Sequence, residues 1–289
     1  MRRVKILPIY GGKGPILDHL LRLTPYLDVY VEPFFGGGSL FFARHPSKVE
    51  IINDINDVIV SLYRVIRNPK KLAMLMYKLE FTPYARSELK LARRIAKGRV
   101  KSELLKAWAA IVMYNMSFSG TTRGFSRDTT KWVRVQSAIL SAHKRLKNAI
   151  IENKDGVQLC REVDDRNVVI YMDPPYLPEA ISSQGGRDLS QVRSDISGSY
   201  MGNLMDVEKH IELLEFAVSA KSAIVISGYM SDLYAKYLNE RNGWITHVVP
   251  TVATAANTIR PDRVEVIWVN RRAAEVSSMV PLIMRAPAY

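Results

Sequence analysis

Asp173-Pro174-Pro175-Tyr176 sets a carboxylate, two backbone units that lack an N–H and an aromatic ring in four consecutive positions. That combination suits chemistry on an exocyclic amine of a purine or pyrimidine. Such an amine is a poor nucleophile because its lone pair is delocalised into the ring. The Asp173 carboxylate and the Pro174 carbonyl offer acceptors for both of its N–H groups, which favours a more tetrahedral, nucleophilic nitrogen. Tyr176 offers a flat face for the base, a contact worth about 1–3 kcal/mol. A base in a duplex must first leave the stack to reach such a site. An isolated Pro-Pro is ordinarily only a turn; here it joins an acid and a ring.

The element that must carry this group is the run Val168-Val169-Ile170-Tyr171-Met172, rich in β-branched and aromatic residues and read as a buried strand. Two prolines end it abruptly. Other strands are expected at 28–35, 49–52, 149–152, 223–227, near 245–250 and at 264–269. Helices are expected at 56–67 and 207–220, with mainly helical chain from about 70 to 148 interrupted at 117–125. Residues 177–206 are poor in apolar side chains and read as a mobile loop. Strands alternating with helices on both sides of a helical stretch predict an α/β doubly wound, Rossmann-like sheet with an insertion. The expected division is a catalytic unit of 1–62 and 149–289 and an inserted unit of 63–148. In open α/β sheets, ligands bind at the carboxyl ends of the strands, which is where Asp173 falls.

A second group lies at 32–54. The expected strand before Gly36-Gly37-Gly38 is followed by an expected helix from Ser39, an arrangement that lets backbone approach a ligand at a helix N-terminus. A phosphate-binding loop would need Gly-Lys-Ser/Thr there, and Ser39-Leu40 does not supply it. The glycines equally read as a tight structural turn. Glu32 places a carboxylate beside this turn. Asp54, ending the next strand, is placed to hold ribose hydroxyls, and also reads as the N-cap of the following helix. Together the turn and Asp54 suggest a nucleoside-bearing cofactor without a pyrophosphate.

Charge singles out the middle of the chain. The whole carries +13, yet residues 60–150 hold 20 Lys and Arg against four acids, and the remainder is slightly acidic. A basic face of that kind suits a polyanion, most often nucleic acid; a solvated helical surface is the plainer reading. No apolar run approaches the roughly 18 residues of a membrane helix. The start, Met1 to Pro8, has basic residues without a long apolar core and reads as no secretory signal. Cys160 is the single cysteine, which excludes an internal disulfide and argues against a Cys-based metal site. A cytoplasmic protein is expected, with no metal and no membrane association.

Taken in order, these motifs resemble the Dam-like (D12 class, α-group) DNA adenine-N6 methyltransferases. The matching segments are Gly11-Gly12-Lys13, Glu32-Pro33-Phe34-Phe35-Gly36-Gly37-Gly38-Ser39, Asn53-Asp54-Ile55-Asn56, Asp173-Pro174-Pro175-Tyr176, Ser227-Gly228-Tyr229 and Arg263 to Asn270. Any one is weak evidence; the ordered set is highly specific.

The resemblance implies S-adenosylmethionine as cofactor and double-stranded DNA as partner, with no obligate protein partner and a monomer or weak dimer. It implies a cofactor pocket of Tyr10, Gly12, Lys13, Glu32, Pro33, Phe34, Gly36, Gly38, Asp54 and Asp155, with Asp173 close by. Asp173, Pro174, Pro175 and Tyr176 would be the catalytic group. The basic insertion would recognise the target. Asn115, Ser117, Phe118, Ser119 and Gly120 resemble the family's segment leading into its DNA-reading hairpin, and Arg123, Arg127, Lys131 and Arg134 are candidates for phosphate or base contacts.

Two departures stand out. The aromatic residue that family members often carry shortly before Gly-Gly-Lys has Tyr10 or Ile9 as its counterpart, and the 177–206 segment is longer and richer in Ser and Gly. It reads as a lid that could order on DNA. Cytosine-C5 chemistry needs a cysteine after proline, and Cys160 follows Leu159. The expected reaction is direct in-line transfer to adenine N6 without a covalent enzyme intermediate. The alternatives are the same chemistry on RNA or a protein glutamine, where Asn more often stands at the Asp173 position, and a DNA-binding module on an inactive fold.

Overall fold

The computed structural model describes residues 4–9, 12–118, 122, 124–185, 205–251 and 263–279. In chain order the elements are α1 (Leu17–Leu23), β1 (Val29–Glu32), α2 (Ser39–Ala43), β2 (Val49–Asn53), α3 (Asp57–Arg67), α4 (Pro69–Glu80), α5 (Arg86–Lys97), α6 (Glu103–Met116), α7 (Thr130–Leu146), β3 (Ile150–Glu152), α8 (Gly156–Glu162), β4 (Val168–Met172), α9 (Pro178–Gly185), α10 (Val207–Ser219), β5 (Ala223–Gly228), α11 (Asp232–Tyr237), β6 (Trp244–Thr251), β7 (Arg263–Asn270) and α12 (Arg271–Met279). A 3-10 turn, Gly14–Ile16, precedes α1.

The seven strands form one sheet in the order β3-β2-β1-β4-β5-β7-β6. The pairs among β1 to β5 are parallel, and β7 runs antiparallel to both β5 and β6. The expected parallel α/β sheet is therefore present with an antiparallel hairpin closing one side. Pro250 sits in β6, an edge strand, where a missing N–H is tolerated. Strand order reverses between β1 and β4, and in open α/β sheets ligands bind beyond the strand ends at such a switch point.

Period-two alternation divides the core. Tyr30, Val169, Tyr171, Val225 and Val269 point to one face, which α1, α2 and the helices α3–α7 cover. Val31, Ile170, Met172, Ile224 and Trp268 point to the other, covered by α8, α10 and α11. The basic stretch thus packs as helices onto the first face, sharing one apolar cluster with it. Residues 62 and 63 both lie within α3, so the expected boundary of the inserted unit falls inside a helix. At its centre α6 is buried on all sides from Ala107 to Met116, as a helix enclosed by neighbours must be apolar all round.

Three expectations need correction. The strand read at 28–35 covers only Val29–Glu32, because Pro33 has no N–H to continue the ladder. The helix after β2 is capped by Asn56, whose side chain accepts from Val58 N at 3.0 Å, and not by Asp54. The start of the 177–206 segment is helical, as α9; residues 186–204 lie outside the described residues. Among the described residues no helix is long and apolar enough to cross a membrane.

Behind the second face, His210 on α10 is fully buried with Nδ1 2.9 Å from the Tyr234 hydroxyl. Burial pushes its pKa down to about 4 from 6.5. A base depressed in the folded state stabilises it fully above pH 6.5, and that contribution is lost as pH falls toward 4. The loss should reach ~3 kcal/mol at pH 4. Urea unfolding at pH 7 and pH 4 should show it in the wild type and not in His210→Gln; an equal acid loss in both chains would refute the assignment.

Candidate active site

β4 delivers Asp173 one residue beyond its last ladder position, and β1 delivers Glu32 at its own end on the neighbouring strand. Pro174 is buried, Pro175 exposed and Tyr176 half-buried. The tetrad therefore lies at the carboxyl end of β4, beside the switch point between β1 and β4.

Lys13 is the partner that the sequence alone did not pair with Asp173. It ends the segment before the 3-10 turn and is 3 % exposed. Its ammonium lies 2.9 Å from Asp173 Oδ1 and 3.4 Å from Glu265 Oε2, donates to the Tyr176 hydroxyl, and stands 4.5 Å from the centre of the Tyr176 ring. Burial disfavours its charge, but the Asp173 and Glu265 carboxylates outweigh that and hold it above the usual lysine range. Burial pushes the Asp173 carboxyl up, partly offset by Lys13 and by Ser227. Ser227 Oγ, at the end of β5, donates to Asp173 Oδ1 at 3.3 Å and lies 2.8 Å from the Tyr171 hydroxyl. Tyr229 packs its ring 4.6 Å from that of Tyr176. Tyr176 is thus held from two sides, with Gly228 close beneath: a Cβ there would lie 3.3 Å from the Trp268 ring and 3.8 Å from the Tyr176 ring.

The glycine turn is built for close approach. Gly36 and Gly38 take φ of 47° and 62°, a region that favours glycine. A Cβ on Gly38 would fall 2.3 Å from the Phe35 ring. Asp54 locks the turn: Oδ2 accepts from Gly36 N and Oδ1 from Asn56 N, both at 2.9 Å. Tyr63 donates to the Gly36 carbonyl at 2.8 Å. Asn53 joins Pro33 to Lys154 through its amide, drawing the end of β2 toward the loop after β3. There Asp155 caps α8 by accepting from Val157 N and Gln158 N at 2.9 Å and lies 3.5 Å from Lys209. Phe34 covers Gly156, where a Cβ would lie 2.7 Å from its ring. Glu32 is buried and accepts from the Tyr30 hydroxyl; burial pushes its pKa up to about 8. Burial also raises that of Asp54.

The structure thus gathers Lys13, Glu32, Pro33, Phe34, Gly36, Gly38, Asp54, Asp155 and Asp173 along one line of strand ends, with Gly12 exposed beside Lys13. Tyr10, Ser119, Gly120 and Arg123 lie outside the described residues. Asn115 is 2 % exposed, its amide donating to the Ile6 and Ile111 carbonyls, so it lies beneath the surface. Arg127 and Arg134 are exposed. Lys131 stands close enough to Lys5 to lower, together with the larger effect of burial, the pKa of Lys5. Cys160 is buried on α8, and burial pushes its thiol up, away from thiolate chemistry.

Sequence reasoning assigned no role to Glu265 or Ser227. The signal for Glu265 is an acid inside an apolar strand, Val264-Glu265-Val266. A buried charge needs a partner, and here the partner is Lys13.

This arrangement can accept hydrogen bonds from an amine at Asp173 and seat a planar ring on Tyr176, beside a glycine turn and carboxylates suited to a cationic nucleoside. Residues 10–187 match the family model described as D12 class N6 adenine-specific DNA methyltransferase. The type II methyltransferase M1.LlaDCHI of Lactococcus lactis subsp. cremoris is 30% identical over 58% of this chain and 64% of its own length. The DNA adenine methylase of Escherichia coli (strain K12) is 25% identical over 58% of this chain and 63% of its own. That of Salmonella typhimurium is 22% identical over 86% and 88%. The first two matches span less than two thirds of those relatives. With more than half of the chain matched, and with the matched span running from the segment before Lys13 through the Asp173 tetrad, this chain belongs to the D12 class N6 adenine-specific DNA methyltransferase family.

Proposed function

We propose that this chain transfers a methyl group from S-adenosylmethionine to N6 of an adenine flipped out of duplex DNA. The observation that carries this reading is Asp173, a partly buried strand-end acceptor beside the Tyr176 ring at the sheet's switch point, in a chain of this family. The residues present suit the cofactor. Glu32, Asp54 and Asp173 stand at the ends of β1, β2 and β4, and a cationic sulfonium nucleoside would favour the ionised form of each, including Glu32, whose carboxyl burial otherwise pushes up. When bound, S-adenosylmethionine supplies the electrophilic methyl.

The chain's own work is positioning and electrostatics. Asp173 and the Pro174 carbonyl accept hydrogen bonds from the two amine N–H groups, Tyr176 stacks on the base, and Asp54 holds ribose while fixing Gly36. Lys13, held by Asp173 and Glu265, keeps the carboxylate oriented. Arg127, Lys131 and Arg134 on and before α7 face the DNA, with Lys5 near Lys131 adding a second cation for backbone phosphate. We place the protein in the cytoplasm, acting as a monomer or weak dimer.

The test is incubation with labelled S-adenosylmethionine and unmethylated genomic DNA, followed by mapping of N6-methyladenine at single-base resolution. Methyl groups at adenine N6 in a defined sequence context are expected. Transfer to RNA or protein but not to DNA would overturn the reading.

A further inference from the structure

Arg93 belongs to the basic face of α5, yet its guanidinium reaches across to backbone carbonyls of the chain before α7. Nε donates to the Thr122 carbonyl at 2.9 Å and Nη2 to the Gly124 carbonyl at 3.1 Å. The Tyr84 hydroxyl, in the α4–α5 turn, lies 3.1 Å from both the Ser126 and the Asp128 carbonyls. Carbonyls at 122, 124, 126 and 128 are therefore all held from the α4–α5 side. Thr122 has φ of 60°, a region costly for a residue with a branched Cβ. It is buried, and its N–H donates to Ser117 Oγ. Ser126 N donates to the Met116 carbonyl, and the Tyr84 ring packs against Phe125 and Trp132. A strained backbone held at so many points is a shape imposed by its surroundings.

We propose that Arg93 is a positioning residue for target discrimination: with Tyr84 it fixes the backbone at Thr122, Gly124, Ser126 and Asp128, on either side of Arg127, and it makes no phosphate contact itself. This rests on the reading of Arg127, Lys131 and Arg134 as DNA contacts. The planar fork of Arg93 serves two carbonyls in fixed directions, which a lysine cannot do.

The experiment compares wild type, Arg93→Ala, Arg93→Lys, Tyr84→Phe and Arg127→Ala. It reads kcat/KM on the mapped target and on single-base variants of it, the salt dependence of DNA binding, and cofactor affinity. Arg93→Ala and Arg93→Lys should each lose about tenfold or more of the discrimination between target and variants. Their salt slope and cofactor affinity should stay at the wild-type values. Arg127→Ala should lower the slope by about one phosphate contact. Rescue by Arg93→Lys, or a slope lowered in Arg93→Ala as in Arg127→Ala, would show a phosphate contact and overturn the inference. Should Arg93→Ala fail to fold, Tyr84→Phe decides, since it removes only the hydroxyl: unchanged discrimination in both Tyr84→Phe and Arg93→Lys overturns the clamp. Absence of transfer to DNA by the wild-type chain would instead defeat the functional reading beneath it, a distinguishable failure.

Discussion

Asp173→Ala should reduce single-turnover methyl transfer by roughly a thousandfold, the scale expected when a preorganised charge-stabilising group is removed. The carboxylate is the group that can draw electron density toward the amine nitrogen through its N–H. The Pro174 carbonyl that remains is neutral and serves one hydrogen. Asp173→Asn keeps an acceptor oxygen but loses the charge, so it should retain more activity than the alanine variant. The pH profile supplies an independent reading. Burial raises the Asp173 pKa, and the anion is the active form, so the rate should fall on acidification at a pH above the ordinary carboxylate range. Asp173→Asn should lose that limb. Tyr176→Ala, by contrast, should mainly weaken capture of the flipped base. Near wild-type single-turnover rates in Asp173→Ala would remove the carboxylate from the reaction.

The second large effect is on stability. Glu50 on β2 is 5 % exposed and ties three elements together. It takes a bidentate contact from Arg145 on α7, with Nη2 2.6 Å from Oε1, and lies 3.4 Å from Arg44, just after α2. Arg44 lies 3.9 Å over the Tyr30 ring, and Arg145 3.9 Å over the Phe41 ring. Glu50→Ala leaves two guanidinium groups buried without their shared anion, which should cost about 3–5 kcal/mol. In a chain of this size the melting temperature should fall by roughly 2–4 °C per kcal/mol. Replacing Glu50, Arg44 and Arg145 together by apolar residues of similar volume should recover much of the loss, because the penalty lies in the uncompensated charges. A thermal melt and urea titration of the single and triple variants would check both. A single variant within 1 kcal/mol of wild type would show that water reaches these groups.

The same network continues toward the active site. The Tyr30 ring under Arg44 carries the hydroxyl that donates to Glu32. Arg145, from the basic middle segment, is therefore linked through Glu50, Arg44 and Tyr30 to the strand whose end lies beside Asp173. Substitution at Arg145 is accordingly a poor probe of DNA contact, despite its positive charge.

Local sequence determined a good deal. The β-branched run before Asp173 had to be a buried strand, the two prolines had to end it, and the tetrad therefore had to lie at a strand's carboxyl end. Gly36 and Gly38 sit where φ is positive, so the turn was legible from residue type alone. The ordered motifs and the basic middle segment pointed to the family and to nucleic acid because each depends on neighbours in the chain.

Other features depend on residues that only folding brings together. Lys13 meets Asp173 and Glu265 across 160 and 252 positions, a pairing set by strand order and register that no local pattern encodes. Asp54 fixes the glycine turn through Gly36 N, leaving the helix cap to Asn56; both acids and amides were chemically able to cap, and backbone geometry chose between them. Arg93 and Arg145 look like their neighbouring surface cations in the sequence. Tertiary packing turns both onto protein partners, Arg93 onto backbone carbonyls at the half-exposed edge of α5 and Arg145 onto a buried glutamate, whose charge needs a partner once water is excluded.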